Sequence, residues 1–138
     1  MKKRVDNTDR PIACLLSGGL DSSLICAIVN STLRAKSKPK LETYSIGLDN
    51  SEDLKYARIV ADHLNTNHTE IVVTEKEMID AIPQVIYEVE SYDTTTIRAS
   101  VGNYLIAKYI SKNSEAKVIF NGDGADELMG GYLYFHKC

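Results

Sequence analysis

A chain of 138 residues, 43% of them apolar, has the length of one ordinary domain and the material for a hydrophobic core. Nineteen acids against sixteen bases give a formal net charge of −3, and the bases are scattered apart from Lys2, Lys3 and Arg4, which argues against a nucleic-acid partner. The opening MKKRVDNTDR has the charge of a signal peptide with polar residues where its apolar stretch would follow, and no later run approaches membrane-spanning length; a soluble, cytoplasmic protein with no membrane partner is expected.

In chain order, residues 11–16 are a short apolar run that predicts a strand. Residues 22–33 then place Leu24, Ile25, Ile28, Val29 and Leu33 at helical spacing. A polar RAKSKPK segment leads to LETYSIGL, which alternates like a strand. Residues 53–64 return to helical spacing, and HTEIVVT reads as a third strand. Thr74 followed three residues later by Glu77 is a capping-box start for a helix to about residue 88, inside which Pro83 predicts a kink or break. ESYDTTTIRAS shows no period and is expected to be a loop, followed by a helix over residues 99–111. AKVIFN predicts a fourth strand, ending in the glycine-rich GDGADELMGG.

This alternation predicts an α/β fold, a mostly parallel sheet with helices on both faces. Ligands bind such sheets beyond the carboxyl ends of the strands, where the strand order reverses. If strand four returns to lie beside strand one, the turn after Leu16 faces the turn after Asn121.

Gly18 and Gly19 let the backbone swing sharply from strand to helix, and the amides at the helix start make an anion site to which Ser17, Ser22 and Ser23 can add hydroxyls. A tight turn with a serine cap and no ligand is the plainer alternative. The stretch lacks the lysine of Gly-x-x-x-x-Gly-Lys-Ser/Thr and is not Gly-x-Gly-x-x-Gly. Asp21 in the first helical turn would repel a polyphosphate unless a cation lay between them, which favours Mg²⁺-bound ATP, although an acid there also suits the helix dipole. NGDGADE supplies Asp123, Asp126 and Glu127 from the other turn. Counted from Asn121, its sixth residue is Asp126 where a calcium loop needs Gly, and its twelfth is Tyr132 where that loop needs Glu. A solvated acidic turn remains the alternative.

With the stretch LSGGLDSS, the chain resembles the asparagine synthetases, in the first half of their synthetase domain. That domain is an ATP pyrophosphatase with a Ser-Gly-Gly-x-Asp-Ser loop. TYSIGLDNSEDLKYARIVADHL, ESYDTTTIRASVGNYLIAKYI and GDGADELMGGYLYFHK are similar to the family in order and spacing. The resemblance implies an adenine nucleotide alpha hydrolase-like (Rossmann-like) fold, with residues 1–138 a partial domain that stops before its C-terminal half and has no glutaminase domain. It also implies ATP and Mg²⁺ as cofactors, aspartate and glutamine-derived ammonia as substrates, a β-aspartyl-AMP intermediate, and AMP and pyrophosphate as products. A nucleotide-binding remnant without synthesis and another ATP pyrophosphatase-type ligase are the rival readings.

Carried over by position, Ser17, Gly18, Gly19, Asp21 and Ser22 match the pyrophosphate loop, and Leu16, Ile46, Asn121 and Gly122 match positions lining adenine and ribose. Asp21 and Asp126 are the expected Mg²⁺ ligands. Arg98, with Thr94 and Thr95 beside it, resembles the arginine near the phosphates, its plainer alternative being an ion pair with Glu90 or Asp93. Asp123 matches a position associated with adenylate formation, but many members carry Ser-Gly-Glu where this chain has Asn-Gly-Asp, so its carboxylate is one methylene shorter. Cys14 and Cys26 are expected to be small core residues, Cys138 pairs with neither, and His63, His68 and His136 form no metal pattern.

Overall fold

Four apolar runs become strands in the computed structural model, which describes residues 1–133 and 135: β1 (Ile12–Leu15), β2 (Glu42–Leu48), β3 (Asn67–Val73) and β4 (Val118–Phe120). All are paired in parallel, in the order β3-β2-β1-β4. Cys14 of β1 lies level with Thr43 of β2 and Phe120 of β4. The strand order therefore reverses between β1 and β4, as the alternation of elements anticipates.

β1 is apolar throughout because both of its sides are covered. Ile12, Cys14 and Leu16 enter one core with Cys26, Val29 and Leu33 of α2 (Leu20–Ala35) and Ala57 and Ala61 of α3 (Glu52–Leu64). Val5, from the short helix α1 (Lys2–Asp6), completes that layer. Ala13 faces the opposite side, against Ile106 and Ile110 of α5 (Thr94–Asn113) and Tyr44 of β2. A third cluster joins Ala81 and Val85 of α4 (Glu75–Val89) to Ile97 and Val101 of α5. Thus the second half of α5 covers the sheet while its first half carries α4.

Two local expectations are corrected. Residues 94–100 are not loop but the first two turns of α5, whose N-cap Asp93 accepts a hydrogen bond from the Thr96 amide at 2.7 Å. Three successive threonines have weak helix propensity and hide the period, and packing on α4 overrides both. Pro83 neither ends nor divides α4, which runs from residue 75 to 89 around it. The proline is exposed, so water can satisfy the carbonyl that loses its donor, while Ala81 and Val85 hold the helix on α5. The Thr74–Glu77 capping box forms as expected: the Glu77 amide donates to Thr74 Oγ1 at 3.2 Å and the Thr74 amide to Glu77 Oε2 at 2.7 Å.

Cys14 and Cys26 are fully buried and not disulfide-bonded. The neighbouring Cys26 thiol, together with burial, pushes the Cys14 thiol far up, which makes it a packing group rather than a nucleophile. Tyr134, His136 and Cys138 lie outside the described residues.

Candidate functional site

At the end of β1 the Leu16 amide still donates to Tyr44 O at 2.8 Å, and the chain then turns through residues 17–19 into α2. Gly18 has φ +82°, and a Cβ there would lie 2.5 Å from the carbonyl carbon and Cβ of Tyr56 on α3. That residue must be glycine both for its left-handed backbone and for its approach to α3. Gly19 has φ −68° and a Cβ there would meet nothing nearer than Ser17 Oγ at 3.4 Å, so the fold alone does not demand it.

The turn is braced by its own serines. Ser17 and Ser22 hydroxyls are 3.0 Å apart, Ser22 Oγ donates to Gly19 O at 3.2 Å, and the Gly19 amide donates to Ser17 Oγ at 3.3 Å. Ser22 thus holds the turn's shape rather than standing ready as a spare donor. Ser23, an expected donor, does not line the cleft, and its buried Oγ has no partner among the described residues. No side chain caps the start of α2, which leaves its first amides directed at whatever occupies the cleft.

From the other side, β4 runs into Asn121 and Gly122, and then into α6 (Ala125–Met129). A Cβ on Gly122 would lie 2.9 Å from Ser22 N, 3.2 Å from Ser22 Cα and 3.3 Å from Asp21 C. The two glycine-rich turns are therefore in backbone contact. Asn121 Nδ2 donates to Asp123 Oδ2 at 2.9 Å, which fixes the shorter carboxylate beside the turn. Tyr132 Oη donates to Glu127 Oε1 at 2.8 Å and holds that carboxyl below the usual glutamate range.

Together the turns border a cleft of about 590 Å³, large enough for a nucleotide. Of the residues anticipated from sequence, it brings together Leu16, Ser17, Gly19, Asp21, Ser22 and Ile46 with Asn121, Gly122, Asp123 and Asp126. Gly18 lies behind the turn against α3 instead. Arg98 is exposed in the first turns of α5 and is not among the residues that line the cleft. Neighbouring Ala99 is, with Asn103 and Ile106, and successive helical residues point about 100° apart. Nor does Arg98 ion-pair with Glu90 or Asp93 among the described residues.

Sequence reading singled out Glu127 with the acidic turn but missed Tyr44, Ser45, Asp53 and Asn103, and all five line the cleft, as does Tyr132. The i, i+4 relation of Ala99 to Asn103 is a usable signal only once residues 94–100 are known to be helical.

Asp21 and Asp126 reach the same cleft from different turns, but no group of three or more such ligands comes together among the described residues. Two carboxylates completed by phosphate oxygens and water suit Mg²⁺, which retains waters and binds few protein groups. The donor set thus fits a nucleotide-borne ion rather than a cage built wholly from protein. His63 is exposed on α3, while His68 donates or accepts with Thr43 Oγ1 at 2.9 Å and Ser45 Oγ at 3.2 Å, so neither belongs to a metal centre. Burial, followed by the charge of Arg58, lowers the His68 pKa and keeps the ring neutral. Among the described residues no helix is long and apolar enough to cross a membrane.

The family model described as asparagine synthase matches residues 1–138. The chain is 53% identical over 139 residues to the glutamine-hydrolysing asparagine synthetases of Pongo abelii and Homo sapiens, and 51% identical to that of Bos taurus. Each alignment covers 100% of this chain and 25% of the relative, so the chain spans about a quarter of their length. Among solved structures, the NH3-dependent NAD synthetase from Campylobacter jejuni superposes with a TM-score of 0.62 at 18% identity, covering 95% of this chain and 55% of that one. NMN synthetase from Francisella tularensis gives 0.60 at 20% identity, with 97% and 55% covered. These two share the fold, the parallel sheet covered by helices expected from the sequence. With a family match along its whole length and a parallel sheet that joins two glycine-rich turns, this chain belongs to the asparagine synthase family.

Proposed function

We propose that the chain is the ATP-binding part of an enzyme that makes asparagine from aspartate. The observation that carries this reading is the backbone contact of Gly122 with Ser22, which sets an uncapped helix start and two carboxylates around one cleft. The α2 amides and the Ser17–Gly19 turn hold the β and γ phosphates, while Leu16 and Ile46 face adenine and ribose. Asp21 and Asp126 would hold Mg²⁺, which supplies neutralisation of the phosphate charge.

An aspartate side-chain oxygen then bonds to the α-phosphorus as the bond to the β-phosphate bridging oxygen breaks, so pyrophosphate leaves and β-aspartyl-AMP forms. Ammonia attacks the acyl carbon, the carbon–oxygen bond to AMP breaks, and loss of a proton leaves asparagine. Cleavage at the α-phosphorus accounts for the absence of a lysine in the first turn: the group held there is a leaving group rather than a transferred one. Asp123, held by Asn121, takes part in forming the adenylate; Arg98, which does not line the cleft, is given no part in it. Positioning and charge complementarity supply most of the acceleration.

Aspartate-dependent exchange of labelled pyrophosphate into ATP tests the proposal. Exchange is expected from the protein and is abolished in Asp21→Ala and in Asp126→Ala. Nucleotide binding without exchange would assign the remnant reading instead, and exchange with a different acid would assign another ligase. Retained exchange in either variant would remove that residue from the metal site.

A further inference from the structure

Ala99, Asn103 and Ile106 stack along one side of α5 and form the wall of the cleft opposite the phosphate turn's helix layer. This wall abuts the end of β2, since a Cβ on Gly102 would lie 3.9 Å from Ile46 Cγ2, an ordinary van der Waals contact. Asn103 is thus a carboxamide set between two apolar side chains, in the part of the cleft shared with Ile46. It is exposed and has no hydrogen-bond partner among the described residues. Three other asparagines are engaged: Asn30 with Leu64 O at 2.8 Å, Asn113 with Tyr109 O at 2.8 Å, and Asn121 with Asp123.

A ligand filling this end of the cleft strips water from the amide, which then needs one acceptor and one donor from the ligand itself. We propose that Asn103 reads the purine base of the nucleotide and selects adenine. The inference rests on the nucleotide reading of the cleft given above. Adenine presents an amino donor at N6 beside an acceptor at N7, which a carboxamide matches with two hydrogen bonds. Guanine and hypoxanthine present two acceptors on that edge, so either orientation of the amide leaves one mismatch. Phosphate binding, by contrast, is carried by the turns and does not involve this residue.

Calorimetric titration of the purified protein with AMP, IMP and pyrophosphate, compared across wild type, Asn103→Leu and Asn103→Ser, tests the assignment. The wild type is expected to prefer AMP over IMP. Both variants should weaken AMP binding about tenfold and erase the preference, with pyrophosphate binding unchanged as the check that the cleft is intact. The assignment is overturned if the wild type binds AMP and IMP equally, or if both variants keep the wild-type AMP affinity and AMP/IMP ratio. Failure of the wild type to bind either AMP or pyrophosphate would instead overturn the nucleotide reading itself.

Discussion

Gly122→Ala tests the junction of the two turns most directly. The added methyl would stand 2.9 Å from Ser22 N, against backbone atoms of the first turn of α2 that no rotamer change can move aside. Restoring a contact of about 3.5 Å requires the turns to part by roughly 0.6 Å. Overpacking of this kind costs about 1–3 kcal/mol, which for a domain of this size lowers Tm by roughly 3–10 °C. On the proposed nucleotide reading, the same displacement acts on the groups that position the phosphates; since about 1 Å can cost 10²-fold in rate, roughly tenfold is expected here. Thermal melts followed by circular dichroism and the pyrophosphate-exchange rate read the two effects separately. Wild-type Tm together with wild-type exchange in this variant would show that the turns do not touch, and the composite cleft would have to be abandoned.

Gly18→Ala and Gly19→Ala separate the two glycines of the first turn: the former must clash with Tyr56 and adopt φ near +82°, whereas the latter meets only Ser17 Oγ at 3.4 Å. Thermal melts should show a large loss for Gly18→Ala and little for Gly19→Ala; equal losses would refute the assignment of the close approach to Gly18 alone. His68 gives a pH dependence of known sign. Burial and Arg58 lower its pKa in the folded chain, while the opposing charges of Glu70 and Asp62 do not reverse the shift. Below about pH 6.5 the unfolded chain therefore binds more protons than the folded one, so stability is present in full above that value and falls as the pH drops beneath it. Urea unfolding between pH 7.5 and 5.5, as about the useful span for a histidine, should show this slope in the wild type and a flatter one in His68→Gln; an identical slope in both would discard His68 as its source.

Local chemistry made much of the fold legible. β1 has no polar residue because both its sides are covered, and Thr74 with Glu77 announces α4 through hydrogen bonds made within four residues. The threonines before Arg98 misled for the complementary reason: their helix is held by α4, a contact that no window of sequence contains. Once those turns are helical, Arg98 falls away from the cleft and Asn103 faces it.

The sequence by itself determined where the chain turns and which amides, hydroxyls and carboxylates stand at those turns, because glycine torsions, caps and hydrophobic spacing act over a few residues. Only the tertiary structure decided that Ser22 and Gly122 meet, that Gly18 rather than Gly19 is sterically required, and that Asn103 lines the cleft. Those facts follow from strand order and helix rotation, which are set by the packing of both sheet faces at once.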